Sequence, residues 1–369
     1  MTGEGRRDVV PPLRFGASRF GASRVAADRL FGVDAARGLA LLGMFVAHTV
    51  YAPGELVVEG RSSILFATVA GVSLGLVSGG AHPTPPGGRG VVRLSVATRG
   101  AALVLLGLAL TAFLRPPIAV ILDYYGLGFL LLVAPLFLAR RWLVAAAVVL
   151  ALVGPVLVSA AEAATESAGL ALPVALVAEW LVLGFYPLVV WLVFLLAGLV
   201  LARSDLRDRS TAAIALVGGA FAAVVGYGAA LLVPGVDASA HSGTTAEVVA
   251  SGGVALAVIG ALSLLDSATG VGESVARVVR FVLAPLAGAG AMALTLYVAH
   301  AIVLAVARDA AGGSPRWSPP DGILPALVIG ALVIGPLWRR LLGPGPLEAG
   351  LRALTRLVTR ASTRPRVAP

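Results

Sequence analysis

Four histidines and a few acids and arginines set in apolar sequence are the residues of this chain able to do chemistry. Asp34 and Arg37 lie three residues apart and share a helical face, so they can pair; alternatively, Arg37 can hold an anionic ligand while Asp34 orients it. The plain alternative is an interfacial ion pair whose charged ends reach for water. His48 follows fourteen residues after Asp34, about 21 Å further along a helix. Imidazole titrates near neutral pH and suits general-base or acyl-accepting work, although a histidine at a helix end can also be only a hydrogen-bonded interfacial residue.

Tyr297 and His300 share a face in the run ALTLYVAH. By helical rise they reach the same half of the molecule as His48, so the two histidines could border one cavity. Arg61, Ser62, Asp123, Tyr124 and Tyr125 are further polar candidates for its wall. His241, in HSGTT, could contact a substrate or cap the helix that follows, and His82 sits in a Pro- and Gly-rich loop with no assigned role. No cysteine is present, and four scattered histidines do not make a metal site, so none is expected. Phosphate-binding glycine loops, zinc-helix motifs and serine-nucleophile elbows are absent as well.

The elements that must hold these residues are set by composition. The chain has 369 residues, 58% hydrophobic and 13% charged, with a mean hydropathy of +0.95. That is too much apolar sequence for a soluble core. It falls in blocks of roughly twenty, the length that crosses a hydrocarbon layer of about 30 Å. Spans are expected near 33–51, 62–80, 94–114, 118–138, 142–160, 185–202, 211–233, 248–266, 281–307 and 323–338. The fold class is therefore all-α, a polytopic transmembrane bundle of about ten or eleven spans.

All 28 basic residues are arginine. With the amino terminus in the cytoplasm, twenty-two of them fall on the cytoplasmic side and only Arg61, Arg115, Arg308 and Arg316 outside, as the positive-inside rule requires. Arg37 and Arg99 lie within spans. The net charge of +9 thus reads as topology, not as nucleic-acid binding. Residues 1–30 and 341–369 read as basic cytoplasmic tails flanking a membrane domain over 31–340. The apolar run between Leu170 and Gly184 precedes a complete span and reads as an interfacial or re-entrant helix, and Pro285, Gly288 and Gly290 call for a kink or break in the ninth span.

The segment RLFGVDAARGLALLGMFVAH at 29–48 resembles the first transmembrane helix of the heparan-α-glucosaminide N-acetyltransferase-like membrane proteins and their bacterial YeiB-like relatives. Further similar segments follow in order: GRSSILFATVAGVSLGL at 60–76, ILDYYGLGFLLL at 121–132, YPLVVWLVFLLAGLVLAR at 186–203, HSGTTAEVVASGGVALAVIG at 241–260, ALTLYVAH at 293–300 and GPLEAGLRALTRL at 345–357. Asp34, Arg37 and Gly38 match the family's D-x-x-R-G signature. The lysosomal members carry an active-site histidine in the loop after this helix; here that loop, VYAPGELVVEG, has none.

The resemblance implies an integral membrane acyltransferase. It would move an acetyl-type group from cytoplasmic acyl-CoA to an extracytoplasmic sugar, glycan or glycolipid. Arg37 and Gly38 would bind the donor, and His48, His300 and Asp34 would form the catalytic set. Arg61, Ser62, Asp123, Tyr124, Tyr125, Tyr297 and His241 would contact the acceptor. Expected partners are membrane lipids and the acceptor, with a homo-oligomer as an option, in the cell membrane of a bacterium. The rival reading is a transporter or flippase for a small anion or lipid-linked substrate, in which the same residues gate a pathway.

Overall fold

The computed structural model describes residues 30–50, 58–165, 172–314 and 317–363. The amino-terminal tail up to residue 29 and the start of the Leu170–Gly184 segment lie outside the described residues. Thirteen α-helices follow one another among the described residues, with no strand. They are α1 (Phe31–Thr49), α2 (Arg61–Val77), α3 (Arg89–Ala109), α4 (Leu122–Leu132), α5 (Arg140–Thr165), α6 (Leu172–Ala178), α7 (Leu188–Arg203), α8 (Arg209–Leu232), α9 (Thr245–Ser263), α10 (Val271–Gly290), α11 (Ala293–Ala310), α12 (Ile323–Leu341) and α13 (Pro346–Thr363).

Seven described helices are long and apolar enough to cross a membrane, and α2 and α4 are shorter apolar helices. The segment ahead of α7 is α6 plus a π-helical turn, Glu179–Leu183, bent by 50° against α7, in keeping with an interfacial or re-entrant element. Large apolar side chains such as Val156, Val217, Phe221 and Val224 point away from the bundle, as lipid-facing residues do. The protein is a multi-pass membrane protein whose interior is formed by α1, α2, α4, α7 and α11, where Leu41, Phe45, Ile64, Leu188 and Tyr297 are fully buried.

Small residues set the interhelical distances. Gly219 and Gly226 on α8 meet the backbone of α9 at Gly253 and Ala250. On α1, a β-carbon at Gly38 would collide with the Leu286 carbonyl of α10, and one at Gly290 with the Asp34 carbonyl of α1. These two contacts hold the end of α10 against the start of α1. The residue before α1, Leu30, has no capping side chain, and the cap comes instead from Asp266, in the turn after α9. Its carboxylate accepts from the Phe31 and Gly32 amides at 3.1 and 2.8 Å.

The break expected in the ninth span is present: the span is two helices, α10 and α11, separated at Ala291–Met292. Pro285 is accommodated inside α10; the break comes just after Gly290, where the chain is drawn against α1. The carboxyl-terminal tail is largely the helix α13, which folds back on α3 and α11. Its sequence is amphipathic: Leu347, Leu351 and Thr355 recur at helical spacing on one side, with Leu347 packed on the core and Thr355 buried.

Candidate active site

α1 carries polar residues at both of its ends. At its start the Asp34 carboxylate accepts a charge-assisted bond from Arg37 Nη1 at 2.8 Å, and Arg339 Nη1 on α12 stands 3.9 Å from its other oxygen. Arg37 also donates through Nη2 to Ser73 Oγ on α2 at 2.8 Å and through Nη1 to the Gly290 carbonyl at 3.4 Å. The D-x-x-R-G element is thus a joint between α1, α2, α10 and α12. Gly38 belongs to it by close packing against Leu286 and lines no described cavity.

Arg37 borders a cavity of about 310 Å³ that runs between α1, α2, α3, α4, α11 and α13. Two further guanidinium groups, Arg99 of α3 and Arg352 of α13, line it, with Ser73 and Glu348. Arg99 Nε is buried and has no hydrogen-bond partner among the described residues. A buried cationic donor left open beside two more arginines fits an anionic ligand with several acceptor oxygens. The inner wall is Tyr125 and Tyr297. Tyr125 donates to the Ser63 carbonyl at 2.9 Å, and the Tyr297 hydroxyl accepts from the Ile121 amide at 3.3 Å.

Behind Tyr297 lies the histidine pair. His48 Nδ1 and His300 Nε2 are 3.0 Å apart, and the rings stack at 5.2 Å with an interplanar angle of 8°. His300 is fully buried between Phe45 and Tyr297, whose rings lie 4.9 and 5.1 Å from it. The pair is therefore fixed in place, and one nitrogen of each ring is committed to the other.

The remaining candidates divide between two places near the far end of α1. Asp123 and Tyr124 line a second cavity of about 630 Å³ with Arg115, Glu179 and Trp180. Asp123 Oδ2 accepts from Trp180 Nε1 at 3.0 Å, while its Oδ1 is buried with no hydrogen-bond partner among the described residues. Two π-helical turns, Leu110–Leu114 and Glu179–Leu183, contribute to this wall, and such turns recur at functional sites.

Arg61 donates to the Tyr227 hydroxyl at 2.8 Å and lies over that ring. The His241 ring lies tilted against Phe185, with ring centres 4.2 Å apart. Its amide is held by Glu247 Oε1 at 2.7 Å, and the Gly243 amide by Oε2 at 2.8 Å. Ser62 is not brought to a cavity: its hydroxyl donates to the Val58 carbonyl of the preceding turn at 2.7 Å.

Sequence reasoning missed Ser73, Arg99 as a ligand donor, Trp180, Glu247, Glu348 and Arg352. Glu247 was legible, because Thr244-x-x-Glu247 ahead of an apolar run has capping-box spacing; Thr244 Oγ1 accepts from the Glu247 amide at 3.1 Å, while the Glu247 carboxylate reaches past the N-cap to the Gly243 and His241 amides. Among the described residues no group of three or more His, Asp or Glu is arranged to hold a metal ion.

Comparison with known proteins agrees with this architecture. Residues 200–358 match a family described as a protein of unknown function, DUF418. No curated protein matches the chain. Residues 29–232, which include the Asp34–Arg37–Gly38 joint, His48 and Asp123, match the model described as heparan-alpha-glucosaminide N-acetyltransferase, catalytic. That match covers more than half of the chain, which therefore belongs to the heparan-alpha-glucosaminide N-acetyltransferase catalytic family, a family of membrane acetyltransferases.

Proposed function

We propose that the protein transfers an acetyl group from acetyl-coenzyme A, bound in the arginine-lined cavity, to an amine or hydroxyl of a sugar, glycan or glycolipid arriving from the opposite side. The arginine-rich face would be cytoplasmic, both termini would lie there, and the protein would reside in the cell membrane of a bacterium. The observation that carries this reading is that α1 and α11 share both features: Arg37 and Tyr297 border the cavity, and His48 and His300 meet just behind it. Arg37 and His48 are eleven residues apart, about 16 Å along α1, so an elongated donor held by its phosphates at one end can present its thioester at the other.

Arg37, Arg99 and Arg352 would match the phosphate charge, with Arg37 kept in orientation by Asp34. If the His48 Nδ1–H donates a hydrogen bond to His300 Nε2, the Nε2 lone pair of His48 is left free to act as base. The acceptor then loses a proton to His48 Nε2 as its nitrogen or oxygen bonds to the thioester carbon. The carbon–sulfur bond breaks, and the proton passes on to the departing thiolate. His300 positions the base, in the way a third group orients the histidine of a hydrolytic triad. Asp123, Tyr124, Arg61 and His241 would meet the acceptor.

The test is purified protein in vesicles, given radiolabelled acetyl-coenzyme A on one side and glucosamine-type acceptors on the other. Labelled acceptor together with free coenzyme A is the expected result. If coenzyme A neither binds nor loses its acetyl group, and a labelled anion crosses the vesicle wall unchanged, the protein is a transporter.

A further inference from the structure

α11 starts at a break, and its own N-cap residue cannot cap it. Met292 occupies that place with φ −118° and has no side-chain oxygen to offer the next amides. Leu294 and Thr295 stand at the second and third helical positions, whose amides an N-cap side chain ordinarily satisfies. Both amides donate instead to Glu348 Oε1 of α13, at 2.9 and 3.1 Å, and Thr295 Oγ1 donates to Glu348 Oε2 at 2.5 Å. The Leu347 amide returns a bond to Thr295 Oγ1 at 3.2 Å. A negative charge at a helix N-terminus is also favoured by the helix dipole. One carboxylate, more than fifty residues away in the chain, therefore does the work of a missing cap.

The same first turn leads directly to Tyr297 and His300. We infer that Glu348 is a positioning residue, the carboxylate by which the carboxyl-terminal helix fixes the start of α11 and so seats His300 against His48. Its kinetic consequence rests on the acetyl-transfer reading; its hold on α11 does not. Glu348 also lines the arginine cavity, so removing its charge leaves that cavity more favourable to an anion. A positioning role and a donor-binding role therefore predict opposite changes in coenzyme A affinity.

The experiment compares full-length wild type, Glu348→Ala, Glu348→Gln and Thr295→Val by amide hydrogen exchange, coenzyme A binding and acetyl-transfer kinetics. In Glu348→Ala the amides of residues 294–300 should exchange faster while those of α1 do not change. Turnover should fall on the order of a hundredfold, as expected for a displaced catalytic group, with coenzyme A bound as well as before or more tightly. Glu348→Gln keeps a carbonyl acceptor for the two amides and should recover most of the loss. Thr295→Val removes only the hydroxyl contact and leaves both amides on the Glu348 carboxylate, so it should fall between wild type and Glu348→Ala. Unchanged exchange in α11 overturns the inference whatever the kinetics, and so does a parallel loss of coenzyme A binding and turnover in a folded Glu348→Ala protein. If wild type neither binds coenzyme A nor transfers acetyl, the acetyl-transfer reading fails, and the exchange data alone decide the role of Glu348.

Discussion

His48 and His300, 252 positions apart in the chain, share a 3.0 Å nitrogen-to-nitrogen contact between nearly parallel rings. Such a pair behaves as a unit: each ring fixes the tautomer and orientation of the other. His48→Ala should lower acetyl transfer by about 10²- to 10⁴-fold, the range associated with a general base. His300→Ala should lower it less, and the double variant should be little worse than His48→Ala alone, because the two act together. Steady-state transfer kinetics of the three variants decide this, and additive losses would contradict the dyad.

Arg99 offers the cleanest test of the donor cavity, since its buried Nε has no hydrogen-bond partner among the described residues. Arg99→Gln should weaken coenzyme A binding by roughly 1.5–3 kcal/mol, the range for a hydrogen bond to a charged group, without loss of thermal stability. Isothermal titration calorimetry with coenzyme A and with dephosphorylated pantetheine reads the difference. Only the phosphorylated ligand should respond.

Gly290 stands against the Asp34 carbonyl with no room for a side chain. Gly290→Ala should force α10 off α1 and destabilise the protein by about 1–3 kcal/mol or more, as overpacking does. Gly218→Ala, at an exposed α8 position with open space around it, should leave the melting temperature in detergent essentially unchanged.

Two acidic caps outside the spans have opposite pH signatures. Hydrogen bonds from the Ser210 hydroxyl and from the Thr211 amide and hydroxyl hold the Asp208 carboxyl below the usual range. Its contribution to stability is present above the unfolded carboxyl pKa and is lost as pH falls through the lowered folded value. Burial pushes Asp266 up despite its bonds to Gly32 and Phe31, so its contribution is present at low pH and lost as pH rises through the raised value. Melting curves against pH should show a shallower acid limb for Asp208→Asn. Asp266→Ala should lose most at low pH, about 1–2 kcal/mol for a missing N-cap, and progressively less as pH rises.

Much of this architecture is written in the order of residue types. Apolar blocks of spanning length determine where helices run, because hydrocarbon leaves an unpaired backbone no alternative to the helix. The spacing of Asp34 and Arg37 determines that they pair, since a helix sets neighbours three residues apart side by side. The Thr244–Glu247 capping-box spacing was equally local. The His48–His300 contact followed from sequence only as a shared half of the membrane; the hydrogen bond itself needed α1 and α11 to be adjacent.

What sequence alone determined, then, was an all-α membrane protein with its buried ionisable residues in a few helices. Tertiary structure decided which of those residues meet. Arg99 and Arg352 join Arg37 only because α13 folds back on α3 and α11, and α11 begins where it does because Gly290 lets α10 close on α1. Helical periodicity fixes relations over one or two turns, whereas contacts between distant helices depend on backbone approach and side-chain fit, which no local pattern encodes.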